Sequence, residues 1–203
     1  KTYLDLVTPL FPGKETFATG MTHEVERCRE ALARAAAGRT VAMVCSGDAG
    51  VYGMAGLVLQ LAGEHPSVDI EVVPGVSAAM AGAAVLGAPL MHDFAVISLS
   101  DLLTPWEVIV RRLDAAAAAD FCVCLYNPAS RKRRDHLPLA AGIIARHRAP
   151  ETVCGWVRNI GREGEQCGIL TLAELPDFAA DMFTTVFVGN SATMNLNGKM
   201  VTP

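Results

Sequence analysis

Short polar stretches that follow apolar runs carry the residue types best suited to ligand chemistry. They read Ser46-Gly47-Asp48-Ala49-Gly50, Pro74-Gly75-Val76-Ser77, Tyr126-Asn127-Pro128, Arg158-Asn159-Ile160-Gly161 and Gly189-Asn190-Ser191. Glycine accepts a positive φ and lets the main chain approach a ligand without an intervening Cβ. The same residue types also build ordinary turns between strands and helices. Any one stretch fits a turn, whereas all of them together favour a ligand site.

Two carboxylates and one basic run are candidates for chemistry by side chains. Asp48 is interpreted first as a residue of a binding loop and second as a group for proton transfer. Asp101 fits either a turn residue or a carboxylate in a cleft, and the turn is the favoured interpretation. The run Arg131-Lys132-Arg133-Arg134 precedes a predicted helix, where positive charge opposes the helix dipole. The run therefore indicates either a solvated loop or a site for anionic groups of a substrate.

Common phosphate, nucleophile and metal motifs are absent from the sequence. It contains no G-x-x-x-x-G-K-[ST], no G-x-G-x-x-G that opens a helix after a strand, and no nucleophile elbow. No histidine stands at zinc-ligand spacing from the cysteines, so no metal is expected. A nucleotide-like ligand held by main-chain groups remains open, and S-adenosyl-L-methionine (SAM) fits that description.

Composition and charge limit the class of protein. The 203 residues are 51% hydrophobic and 19% charged, which predicts a globular chain with a large core. A formal net charge of −4 argues against nucleic-acid binding. No uninterrupted apolar run reaches about 18 residues, so no membrane span is expected. The six cysteines lie mostly in apolar runs and are expected to be buried free thiols of a cytoplasmic protein.

Strand-like and helix-like runs alternate along the chain. The predicted helices are 22–37, 51–62, 77–86, a helix from 105, and 134–147; the predicted strands are 41–45, 68–73, 94–98, 121–126, 153–157, 166–170 and 184–188. This alternation predicts an α/β fold with a largely parallel sheet, in which ligands collect at the carboxyl ends of the strands. A break near 98–104 predicts two α/β domains, 1–98 and 99–203.

Four segments carry a resemblance that nearly the whole chain supports. "CSGDAGVYGMAGLVLQ" and "VVPGVSAAMAGAAVLGAPL" resemble the tetrapyrrole methylase family, through the Gly-Asp loop and the V-P-G-[ST]-A loop. "LYNPASRKRR" and "GWVRNIGREGE" are similar to those family members that methylate C17 of precorrin-3B or cobalt-precorrin-3 in cobalamin (vitamin B12) biosynthesis and contract the ring. "TGMTHEVERCREAL" and "VFVGNSAT" agree with the same members.

The resemblance implies a SAM-dependent methyltransferase, usually a homodimer, that has two α/β domains with a cleft between them and releases S-adenosyl-L-homocysteine. The cofactor contacts that it implies are Gly47, Asp48, Ala49, Val51, Ser77, Ala78, Tyr126, Asn127, Asn159, Ile160 and Thr193. A tetrapyrrole substrate carries several carboxylates, so Arg131, Lys132 and Arg133 are expected to bind them. The catalytic acid or base is not identified, and Asp48 and Asp101 are its candidates.

The chain departs from the family at its start. Family members open with a strand and a glycine-rich loop before the region that resembles "KTYLDL", and this opening is missing here, so an N-terminal truncation is expected. Two other functions stay open, the second of them because of this missing opening. One is a sister methylase acting on another tetrapyrrole position or on RNA, and the other is a non-catalytic ligand-binding α/β domain.

Overall fold

The computed structural model describes residues 2–20, 23–130 and 133–203. The chain divides into two compact units, Lys1–Ser77 and Ala78–Pro203. The predicted α/β class is confirmed, because helices and strands both contribute to the fold. The domain boundary at residue 98 and the cleft stay predictions. Within the described ranges, no helix combines the length and the apolar character that crossing a membrane requires.

The first unit contains helices α1 (Thr2–Val7), α2 (Glu24–Ala36) and α3 (Ala55–Leu61). Helix α2 forms where the sequence predicts it, with Cys28 and Leu32 buried one turn apart and acidic residues in the first turn. It ends before Gly38, which takes a φ of +84° as helix-ending glycines commonly do.

The strands predicted at 41–45 and 68–73 are wrong. Neither segment joins a β-ladder among the described residues, and the second is largely exposed. An apolar run forms a strand only where a neighbouring strand pairs with its backbone, and the described part of this unit supplies no such neighbour.

The second unit holds most of the regular structure. Its elements are α4 (Ala78–Leu86), β1 (Gly87–Ala88), β2 (Phe94–Ser98), α5 (Trp106–Ala118), β3 (Cys122–Tyr126), α6 (His136–Ile144), β4 (Val153–Arg158), β5 (Gln166–Thr171), β6 (Thr184–Val188), β7 (Met194–Leu196) and β8 (Lys199–Val201). Strands β1, β8 and β7 form a small sheet, and the other strands form a larger one in the order β2-β3-β6-β4-β5.

The larger sheet is mixed, so the prediction of a largely parallel sheet is wrong. Only β2 and β3 pair in parallel, whereas β6 runs antiparallel to both β3 and β4, and β5 runs antiparallel to β4. No α-helix separates β4, β5 and β6, and parallel strands need such a crossover. Strands β2, β3 and β4 therefore end at one edge of the sheet, and β6 ends at the opposite edge.

Two apolar layers cover the larger sheet. Alternate residues of β3 point to opposite sides: Val123 and Leu125 pack with α5 and α6, while Cys124 packs with α4 and β8. Helix α4 lies very close to the sheet, because a Cβ on its Gly82 would stand 2.9 Å from Cζ of Phe187 in β6. This close packing brings the start of α4 to the edge where β3 and β4 end.

Candidate functional site

The Asp48 carboxylate joins two glycine-rich loops of the first unit. The Gly50 amide donates to Oδ1 at 2.8 Å and the Gly75 amide donates to Oδ2 at 3.0 Å. Main chain packs on main chain there, since a Cβ on Gly75 would lie 2.3 Å from the carbonyl oxygen of Gly47, which has a φ of +74°. The apolar run 41–45 therefore stops at Gly-Asp because the carboxylate and the two glycines hold the loops together.

The same contact gathers the cofactor residues predicted in the first unit. Gly47, Asp48, Ala49 and Val51 form one loop, and the Ala55 amide donates to the Ala49 carbonyl at 3.1 Å, which leads the loop into α3. Ser77, which is buried, follows Gly75 by two residues on the other loop. The structure thus places these residues side by side; whether they bind a cofactor stays a prediction.

The backbone amides of Gly75 and, second, of Gly50 lower the pKa of Asp48 below its ordinary value, because they donate to its ionised form. A lowered pKa stabilises the folded loops above the ordinary pKa and loses that effect as the pH falls through the folded value. We expect the amide NMR signals of Gly50 and Gly75 to shift together below about pH 4.

In Asp48→Asn this transition should disappear, because the amide side chain does not ionise. The Thr171 amide, which donates to Glu174 Oε2 at 2.8 Å, is the internal control and should titrate alike in both proteins. An unchanged acid transition at Gly75 in the variant would contradict the assignment.

In the second unit, β3 and β4 bring further predicted residues to one edge. The Tyr126 hydroxyl accepts a hydrogen bond from the Ala79 amide at 2.7 Å, beside Ala78 at the start of α4. Asn127 has a φ of +53°, and its Nδ2 donates to Ser98 Oγ at 3.0 Å. The ends of β2 and β3 and the start of α4 therefore meet at this edge.

The end of β4 lies at the same edge. Asn159 has a φ of +54°, and its amide donates to the Phe183 carbonyl at 3.2 Å. Cδ1 of Ile160 lies 3.1 Å from where a Cβ on Gly82 of α4 would stand. Helix α4 thus lies between Tyr126 and Ile160, and the two strand ends flank it.

Thr193 does not join this group. Its hydroxyl accepts from the Asn190 amide at 2.9 Å and lies 2.8 Å from the Thr202 hydroxyl. The Cys122 sulfur, at the amino end of β3, is 3.9 Å away. Because β6 runs antiparallel to β3 and β4, the loop that follows it lies at the edge opposite Tyr126, and a cofactor contact by Thr193 stays a prediction.

A polar cluster that the sequence did not predict as a unit stands beside Asn127. The guanidinium of Arg133 donates to Ser130 Oγ at 3.2 Å and to Ser100 Oγ, and it lies 3.6 Å from Asp101 Oδ1. His136 Nε2 is 3.8 Å from the other oxygen of Asp101. Asp101 is thus a half-exposed carboxylate of this cluster as well as a loop residue.

The structure describes only one of the three residues predicted to bind the substrate. Arg131 and Lys132 lie outside the described residues. Arg133 is described, and its guanidinium is held among the Ser130, Ser100 and Asp101 side chains. That geometry favours a role in positioning the loop, and carboxylate binding by all three residues stays a prediction. The position of His136 at the start of α6, just after a basic run, was the signal that sequence reasoning passed over.

The cysteines outside the cluster are free thiols. Burial raises the pKa of the Cys154 thiol to about 12, and all six cysteines are free. The predicted burial holds for most of them, but Cys167 is exposed. Across the described ranges, no group of three or more His, Cys, Asp and Glu residues is placed to hold a metal ion.

The mixed sheet and the glycine-rich loops are those of a known family. The family model of the tetrapyrrole (corrin/porphyrin) methylases matches residues 2–176. The chain therefore belongs to the tetrapyrrole methylase family, and the predicted family is confirmed.

Three known proteins are similar to this chain over its whole length. It is 47% identical over 204 residues to the probable cobalt-factor III C(17)-methyltransferase of Salmonella typhimurium, of which it spans 85%. It is 46% identical to the cobalt-factor III methyltransferase of Priestia megaterium but spans 38% of that longer protein. The crystal structure of the methyltransferase CobJ superposes with a TM-score of 0.91 at 35% identity, covering all of this chain and 85% of that one.

Proposed function

We propose that the protein is a SAM-dependent methyltransferase that methylates C17 of precorrin-3B or cobalt-precorrin-3, with contraction of the ring, in cobalamin biosynthesis. The observation that carries the proposal is the 47% identity, over the whole chain, to a relative named as a C(17)-methyltransferase. Two segments selected this activity in the sequence, and their described residues 126–130, 133–134 and 156–165 lie at or near the edge where β3 and β4 end.

The loops fit a cofactor that main-chain groups hold. Gly75 and Gly53 have no room for a Cβ, which would stand 2.3 Å from the carbonyl oxygens of Gly47 and Ala49 respectively. This packing holds the main chain of the loops in place, and we propose that main-chain groups of these loops hold the adenine and amino-acid ends of the cofactor. SAM, when bound, supplies a methyl group on a sulfonium.

The residues of this chain orient the reactants and exclude water from them. The residues proposed to contact the cofactor are those that the resemblance implies: Gly47, Asp48, Ala49, Val51, Ser77, Ala78, Tyr126, Asn127, Asn159, Ile160 and Thr193. Holding two reactants in line supplies much of the acceleration of a displacement, and no enzyme nucleophile is required. Asp48 serves the loops in this scheme, because both its oxygens already accept main-chain hydrogen bonds.

The test is methyl transfer from ¹³C-methyl SAM to precorrin-3B and, separately, to cobalt-precorrin-3. A product heavier by one labelled methyl, with its carbon NMR signal assigned to C17, supports the proposal. A label at another carbon would identify a sister methylase. SAM binding with no transfer to either macrocycle would identify a non-catalytic ligand-binding domain.

We also propose that the protein is a cytoplasmic homodimer. The support for the compartment is the set of free thiols, which a reducing environment preserves. The support for a dimer is the number of exposed large apolar side chains, among them Leu102, Met91 and Leu10.

Light scattering at micromolar concentration is expected to give twice the mass of 21.5 kDa. A mass that stays at one chain as the concentration rises to about 100 μM would contradict the dimer. A dimer with a dissociation constant above about 100 μM would be dissociated in dilute solution.

A further inference from the structure

The Asp101 carboxylate lies between two cationic or potentially cationic side chains without a hydrogen bond to either. Arg133 Nη1 is 3.6 Å from Oδ1 and His136 Nε2 is 3.8 Å from Oδ2. The Arg133 and His136 side chains are only 16% and 15% exposed, whereas the Asp101 side chain is 39% exposed. Of these three side chains, the Asp101 carboxylate is therefore the most accessible to solvent or to a ligand.

The orientation of the His136 ring fixes which nitrogen carries the proton. Its Nδ1 is 2.7 Å from the Leu99 carbonyl oxygen, and a carbonyl only accepts, so Nδ1 is the donor. The Trp106 ring, whose centroid is 4.4 Å from that of His136, holds the imidazole from the side. In the neutral ring, Nε2 consequently presents a lone pair to Asp101.

The two acceptors face each other across 3.8 Å, and a group with an O–H or N–H bond that reaches the exposed carboxylate can donate to it there. We infer that Asp101 accepts a proton from the macrocycle in the reaction at this site and that His136 takes it on from Asp101. An O–H or N–H bond of the macrocycle breaks, its electron pair stays on the macrocycle, and the proton forms a bond to a carboxylate oxygen. The proton then passes to Nε2 of His136, which leaves the carboxylate ionised again.

A structural ion pair is the competing explanation, and the contacts of Arg133 argue against it. Its guanidinium makes its hydrogen bonds to the hydroxyls of Ser130 and Ser100, so the loops on either side are joined without Asp101. An ion pair built to tie two loops together brings its charged atoms to about 2.7–2.9 Å. The 3.6 Å between Arg133 Nη1 and Asp101 Oδ1 is longer than that, so Arg133 attracts the carboxylate by its charge without fixing it through a hydrogen bond.

The position of the cluster suits a macrocycle. Hydrogen bonds run from Asn127 through Ser98 to Ser100, whose hydroxyl accepts from Arg133, so the cluster adjoins the edge assigned to the cofactor. Leu102 and Leu103 follow Asp101 directly, and Leu103 is 97% exposed. They offer an apolar surface to the face of a ring whose polar groups would reach Asp101.

The inference rests on the proposed function, and single-turnover methyl transfer to the macrocycle tests both. Asp101→Asn keeps the shape and the acceptor oxygen but does not take up a proton. We expect its rate at saturating macrocycle to fall by about 10²–10⁴-fold, with SAM affinity unchanged and macrocycle affinity within about threefold. The matched control is Glu151→Gln. Glu151 is exposed and precedes β4 at the opposite edge of the sheet, so this variant should keep the parent rate.

His136→Asn is the second variant, because its amide nitrogen can replace Nδ1 at the Leu99 carbonyl while Nε2 is lost. Its rate should fall by about tenfold or more, with both affinities kept. A parent-like rate in folded Asp101→Asn would overturn the inference, and so would a loss confined to macrocycle affinity, which would make Asp101 a binding residue. Absence of transfer by the parent protein to either macrocycle would overturn the proposed function, and this inference with it.

Discussion

Replacement of Gly75 by alanine is expected to weaken SAM binding by about 10- to 100-fold. The new Cβ would stand 2.3 Å from the Gly47 carbonyl oxygen, which belongs to backbone and not to a flexible side chain. Overpacking of this kind costs about 1–3 kcal/mol, and each 1.4 kcal/mol is a tenfold change in affinity. Because Gly75 also donates to Asp48, the two loops would separate where the cofactor is proposed to bind. Calorimetric titration with S-adenosyl-L-homocysteine measures the change.

Gly56→Ala is the matched control for this variant. Gly56 lies in α3 of the same unit, and a Cβ there meets nothing within 4 Å. Alanine should leave ligand affinity unchanged and raise stability by about 0.5–1 kcal/mol, since glycine is a poor helix former. If Gly75→Ala bound the ligand as tightly as Gly56→Ala, the loops around Asp48 would not be the cofactor site.

Replacement of Phe187 by alanine should lower the free energy of unfolding by about 3–5 kcal/mol. Phe187 is buried in β6 and fills the space under Gly82 of α4, so its removal leaves a cavity between the helix and the sheet. Guanidinium titration followed by circular dichroism measures the loss.

Leu139→Ala supplies the comparison for the core variant, because Leu139 is exposed on α6. Its effect should stay within about 0.5 kcal/mol. An effect of Phe187→Ala as small as that would mean that α4 does not depend on this contact. The stability of α4 matters for the site, since its first residues lie between Tyr126 and Ile160.

The sequence predicts the positions of the strands well in the second unit and poorly in the first unit, for one physical reason. Phe94–Ser98 and Thr184–Val188 are strands with the predicted bounds, because the first pairs with β3 and the second pairs with β3 and β4. The runs at 41–45 and 68–73 are also rich in Val and other apolar residues, but they have no paired neighbour among the described residues. A local pattern reports the preference of a segment, whereas a strand also needs a second segment.

The direction of the strands could have been predicted better. A short loop without an α-helix joins β4 to β5, and no α-helix lies between β5 and β6, so antiparallel pairing follows from the lengths of the connections. That pairing would have set Thr193 apart from Tyr126. The position of His136 after the basic run could have drawn attention to it. Its contacts with the Leu99 carbonyl and with Asp101 could not be predicted, because those residues lie about 35 positions away in the chain.

Strand β6 sets the distance between the two loops that a ligand at this edge would contact. It separates β3 from β4, and neighbouring strands lie about 4.7–4.9 Å apart, so Asn127 and Asn159 leave the sheet roughly 10 Å from one another. The spacing is set by backbone hydrogen bonds, which no side-chain substitution changes. Substitutions in the two loops can therefore change which groups they recognise. The distance between the loops, and with it the length of ligand that fits there, stays the same as long as the strand order does.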